Sequence, residues 1–148
     1  MNKVQIFFNA ATAAIGALMG FLFGEEISGL FWALLAFMAL DYLTGVIIAI
    51  INKKLSSEVG FKGLAKKFLI LVFVAVGHIL DAYVLGIPGV VMTAVMLFYI
   101  ANEGISLIEN AALLGLPVPQ KIKDILEQIK NKSKESEEKK DEIHGKND

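Results

Sequence analysis

The chain has 148 residues, 55% hydrophobic and 20% charged, with mean hydropathy +0.61 and formal net charge −1. A soluble domain of this length could not hide so much apolar surface, and the near-neutral balance excludes a nucleic-acid partner. All fourteen basic residues are lysine, which disfavours forked recognition of phosphate or carboxylate, and the lack of cysteine excludes disulfides, thiolate metal sites and thiol redox chemistry.

The first apolar stretch is Val4–Gly24. A hydrocarbon core of ~30 Å needs about 20 apolar residues of helix, so this stretch is long enough to cross. It exceeds the apolar region of a signal peptide, and Gly24-Glu25-Glu26 is a poor cleavage site, so it reads as a retained helix. Thr12, Gly16, Gly20 and Gly24 recur every four residues. Small residues at that spacing let helix backbones approach closely in lipid, against another helix of the chain or a second copy. The blander account is that glycine is common in membrane helices.

The second stretch, Ile27–Ile51, carries Asp41 near its middle, with Gly45 and Ala49 continuing that face. Residues 52–67 follow as a loop with Lys53, Lys54, Lys62, Lys66 and Lys67 against Glu58. Short cytoplasmic loops are enriched in lysine, so these five lysines set the topology. The Glu25-Glu26 turn and the Gly86–Gly89 turn then lie outside, and both termini lie inside. The third stretch, Phe68–Ile87, places His78 and Asp81 as i, i+3 neighbours. Pro88-Gly89 suits the central positions of a type II turn, so the third and fourth helices form a tight hairpin.

The fourth stretch is Val90–Leu116, free of strongly polar residues only to Ala101. At ~100° per residue, Asn102, Glu103, Ser106, Glu109 and Asn110 fall within an arc of about 120°, joined by Tyr99. This helix either crosses fully, turning its polar arc to a bundle interior or water, or bends at Gly104 and lies along the inner surface. Intramembrane acids cost ~2.5–3.5 kcal/mol each on insertion scales, so Asp41, Asp81, Glu103 and Glu109 should pair, neutralise or line water. A His78–Asp81 pair is one such contact. Gln120–Lys132 repeats Ile122, Ile125, Leu126 and Ile129 at helical spacing, a short amphipathic helix. Residues 133–148 are charged and read as a disordered tail. The fold class is therefore all-α and polytopic: a membrane region over 1–116 with four helices, or three, then an amphipathic helix over 117–132 and the tail.

Chemistry finds little purchase. A Ser106–His78–Asp81 triad lacks any nucleophile turn, a zinc site lacks ligands, and no cofactor is implied. The expectation is a non-enzyme whose partners are the lipid bilayer and copies of itself.

Five blocks in order resemble the toxin-secretion/phage-lysis holin family. They are Asp41-Tyr-Leu-Thr-Gly45, Lys54–Lys67, His78-Ile-Leu-Asp81, Phe98–Asn110, and Gly115-Leu-Pro-Val-Pro119 with Lys123-Asp-Ile-Leu126. The resemblance spans roughly Asp41 to Ile129. It implies a small protein of the bacterial cytoplasmic membrane that oligomerises and opens lesions, releasing an endolysin or a large toxin. Family members are often described with three spans, so a fourth is a departure. With that role, Asp41, His78, Asp81, Asn102, Glu103, Ser106, Glu109 and Asn110 become candidates for lining the lesion or joining copies, and Gly16, Gly20 and Gly24 for helix packing. A small ion channel or proton-coupled transporter would use the same carboxylates.

Overall fold

The computed structural model describes residues 2–24 and 28–144, with side chains to residue 132. The chain is all-helical: α1 Lys3–Phe23, α2 Gly29–Ile51, α3 Ser57–Ile79 prolonged by a π-helical turn Leu80–Leu85, α4 Val90–Leu113 and α5 Gln120–His144. The first four, counting α3 with its π turn, are long and apolar enough to cross a membrane. The expected Glu25-Glu26 turn lies outside the described residues.

Side chains at the helix starts supply partners for orphan backbone groups. The Ser28 hydroxyl accepts the Phe31 N–H at 3.3 Å, and the Ser56 hydroxyl accepts the Val59 N–H at 3.2 Å. The Ser56 cap corrects the expected loop over 52–67. Only residues 52–56 turn, with Lys53 at φ +53°, and α3 begins at Ser57. Hydropathy marks where lipid-soluble sequence starts, whereas the helix starts at its cap, and the lysines that follow are good helix formers. Lys62, Lys66 and Lys67 are thus helical, with Glu58 in the first turn where the helix dipole favours a carboxylate.

The α3–α4 hairpin is tight, as its turn residues suggest. Gly86 and Gly89 both adopt left-handed backbone, at φ +63° and +66°. The turn differs from the expected type II form, because the Gly89 N–H bonds the Ile87 carbonyl, two residues back, at 3.0 Å. Close approach at this end depends on Gly77: a Cβ there would stand 2.9 Å from the Met92 Cα. α4 runs unbroken through Gly104, so the expected alternative of a bend there does not occur. The expected disordered tail over 133–148 is corrected as far as residue 144, through which α5 continues helically, and residues 145–148 lie outside the described residues. Lysine and glutamate dominate that stretch and both favour helix.

Phe31, Leu34 and Met38 of α2, Ile70 and Val74 of α3, and Met96 and Ile100 of α4 form the buried core, with Phe23 of α1 added at the Pro88 end. The outside is as apolar as the inside. Phe7, Trp32, Phe61 and Phe68 are each at least 60% exposed. Surfaces of that kind are stable against acyl chains and aggregate in water.

Candidate functional site

Three helices bring one charge each to a common point. Asp41 lies midway along α2, Lys67 in the third turn of α3, and Glu103 midway along α4. The Lys67 ammonium donates to both the Asp41 and the Glu103 carboxylates. All three side chains are 10–15% exposed. Asn110, two turns beyond Glu103 on α4, donates to Asp41 Oδ1 at 3.3 Å and to the Thr44 hydroxyl at 2.9 Å. The Thr44 hydroxyl in turn donates to the Leu40 and Asp41 carbonyls. The carboxylates are therefore held by a network rather than by one contact, as buried charges require.

The network forms one wall of a cleft of about 580 Å³ between α2, α3 and α4, which also takes in Tyr42, Lys66, Tyr99, Asn102 and Ser106. Tyr42 reaches across to α3, where glycines make room: a Cβ on Gly63 would stand 3.1 Å from its ring. Counting Lys66 on the cleft wall, two carboxylates face two ammonium groups. Such a cluster can bind or pass ions, couple charge movement to helix displacement, or lock three helices together. Among the described residues no three potential ligands are grouped to hold a metal ion.

The polar arc of α4 is thus largely real: Asn102, Glu103, Ser106 and Asn110 share the cleft. Glu109 does not. It stands at the edge of the arc, is exposed, and faces a smaller groove beside α5 with Lys123. Lys67 has a second role. One of the lysines expected to set the topology, it is also the half-buried cation that joins the two carboxylates. The available signal was its place at the join of lysine-rich and apolar sequence, in a chain whose intramembrane acids needed partners, but nothing local named which acids.

His78 and Asp81 do not pair. Asp81 is 1% exposed, and its oxygens accept the Val91 and Met92 N–H groups at 2.9 and 2.8 Å. A carboxylate on α3 thus caps the start of α4, where unpaired N–H groups and the helix dipole favour negative charge. The missed signal was the short Gly86–Gly89 turn, which returns the start of α4 to Asp81. His78 packs instead against Gly24, a Cβ there lying 3.3 Å from its ring, and edge-on to Tyr83. Gly16 and Gly20 have nothing within 4 Å of a built Cβ. Within one copy, Gly16 and Gly20 border open space, and of that row of small residues Gly24 meets α3.

The model of the bacteriophage holin family matches residues 17–131. The uncharacterized protein Lmo0128 of Listeria monocytogenes is 38% identical over 93% of this chain and 97% of its own. An uncharacterized 14.9 kDa protein of Clostridium perfringens, in the nagH 3′ region, is 40% identical over 89% of this chain and 99% of its own. The uncharacterized protein YqxH of Bacillus subtilis is 35% identical over 98% of this chain and 100% of its own. No solved structure matches.

Proposed function

The chain belongs to the bacteriophage holin family, and from that premise we propose that it assembles with copies of itself in the bacterial cytoplasmic membrane and opens lesions there. An endolysin or a large exported toxin would leave through them. The lysine-rich end and both termini face the cytoplasm, following the bias of short cytoplasmic loops toward lysine.

The observation that carries this reading is the open face of α1. A span with open space beside Gly16 and Gly20, where even an added Cβ would meet nothing within 4 Å, is under-packed for a membrane helix. Small residues at that spacing favour close contact between spans. A single copy has a filled core, so a passage for folded protein requires several. The charged cleft supplies the second surface, one that water or a neighbouring copy can face when the bundles rearrange. Induced expression tests the reading: abrupt growth arrest with a folded cytosolic enzyme appearing in the medium supports it, with whole-cell lysis only when a lysin is co-expressed.

The balanced ion cluster favours a second reading, a small ion channel or proton-coupled transporter. That reading expects selective ion flux, viable cells and no enzyme in the medium.

A further inference from the structure

α5 occupies a position on the bundle that a bilayer claims. Its Leu126 is 8% exposed and lies over Gly104, where a Cβ would meet its side chain at 2.9 Å and the Phe37 ring of α2 at 3.1 Å. Gly104 is about 160° around α4 from the middle of the polar arc, so this is the outer surface of the bundle, away from the cleft. Gly104 lies about 21 Å along α4 from Val90 at ~1.5 Å per residue. If the ~30 Å hydrocarbon core begins at Val90, Gly104 is about 9 Å inside its lysine-rich boundary. Docked there, α5 carries Lys123, Asp124, Glu127 and Lys130 into the depth of acyl chains. Charged side chains avoid that depth unless paired or wet. The docked seat is also half used. Leu126 is buried, but Ile122 and Ile125, on the same apolar edge, remain 48% and 55% exposed.

We propose that α5 has a second seat, the anionic lipid surface at the lysine-rich end, and that full insertion of α4 transfers it there from the Gly104 groove. Residues 120–132 carry Lys121, Lys123, Lys130 and Lys132 against Asp124 and Glu127, a net charge of +2. A helix with an apolar edge and a lysine-bearing flank lies in the interface of a membrane with anionic headgroups. On that surface Ile122, Ile125, Leu126 and Ile129 all reach the acyl boundary, and the charges stay in water. The Gly115 turn before Pro117 and Pro119, with Gly115 at φ +82°, is the pivot. The inference goes beyond lesion formation, since it requires only that α4 crosses the bilayer.

The chain has no cysteine of its own, so a Gly104→Cys/Leu126→Cys pair reads the docked seat by cross-linking with a short bismaleimide. Micelles impose no fixed apolar thickness, and efficient cross-linking is expected there. In vesicles of equal phosphatidylglycerol and phosphatidylcholine the yield should fall roughly tenfold, and an environment-sensitive dye on Ile125→Cys should report lipid contact. A Phe37→Cys/Leu126→Cys pair reads the same seat if the glycine variant does not insert. Lys121→Gln/Lys123→Gln should weaken the lipid contact that the dye reports in those vesicles, as should vesicles of phosphatidylcholine alone. Equal cross-linking in micelles and anionic vesicles overturns the proposal, as does absence of cross-linking in both. Lipid contact that ignores headgroup charge overturns the anionic surface as the partner.

Discussion

Replacing Lys67 with methionine removes the cation that joins α2, α3 and α4 while keeping most of the side-chain volume. It leaves the Asp41 and Glu103 carboxylates, 15% and 10% exposed, facing each other without a counter-charge. Breaking a buried ion pair by deleting one partner costs ~3–5 kcal/mol, because the remaining charge stays desolvated. Here the open cleft admits some solvent, so the lower end applies, about 3 kcal/mol. At ~1.4 kcal/mol per tenfold, that is on the order of a hundredfold in the unfolding equilibrium. The assay is reversible unfolding in mixed micelles of rising dodecyl sulfate fraction, followed by helical circular dichroism. Lys62→Met, on the exposed face of α3, should stay within ~0.5 kcal/mol of the parent. The triple variant Asp41→Asn/Lys67→Met/Glu103→Gln should recover most of the loss, since neutral replacements of a whole buried cluster are often tolerated. If Lys67→Met and Lys62→Met unfold at the same dodecyl sulfate fraction, the cluster is not a joint of the bundle and the reasoning fails.

Other expectations follow from named contacts. Asp81→Ala should cost about 2–3 kcal/mol in the same unfolding assay, because two N–H groups at the start of α4 lose a charged acceptor; a loss under 0.5 kcal/mol would contradict the cap. Gly77→Ala should cost about 1–3 kcal/mol through overpacking against the Met92 backbone, while Gly20→Ala should be neutral in the single copy. Gly16→Leu with Gly20→Leu should leave unfolding unchanged yet shorten the ladder of cross-linked oligomers in membranes, and an unchanged ladder would remove α1 as the contact face. Glu103→Gln should shift the onset of permeabilisation in expressing cells, whereas Glu109→Gln, outside the cleft, should not; an equal effect of both would return the role to the whole polar arc.

Much of the architecture could be read before any coordinates. Runs of about 20 apolar residues translate into spans because lipid offers backbone groups no partners except those within a helix. The polar arc from Asn102 to Asn110 followed from helical periodicity, and the α3–α4 hairpin from its glycines and proline. Pairings between helices were not legible. Asp41, Lys67 and Glu103 meet only because α2, α3 and α4 pack in a particular register, and no local pattern encodes that register. The same holds for Asp81, where a nearby histidine in sequence was a poorer partner than two backbone N–H groups returned by a turn. Helix ends were misplaced wherever hydropathy stood in for capping, as at Ser56. The tail was misread because a segment with a single apolar residue, Ile143, can still form a helix.

The central claim is that this chain lives in hydrocarbon and acts there by self-association, opening passages wide enough for protein. Its most direct test is reconstitution of the purified chain into vesicles loaded with both potassium ions and a folded enzyme. The account predicts that both escape above a threshold protein-to-lipid ratio, steeply and together. Escape of ions alone, proportional to protein at every ratio, would contradict it and favour the channel.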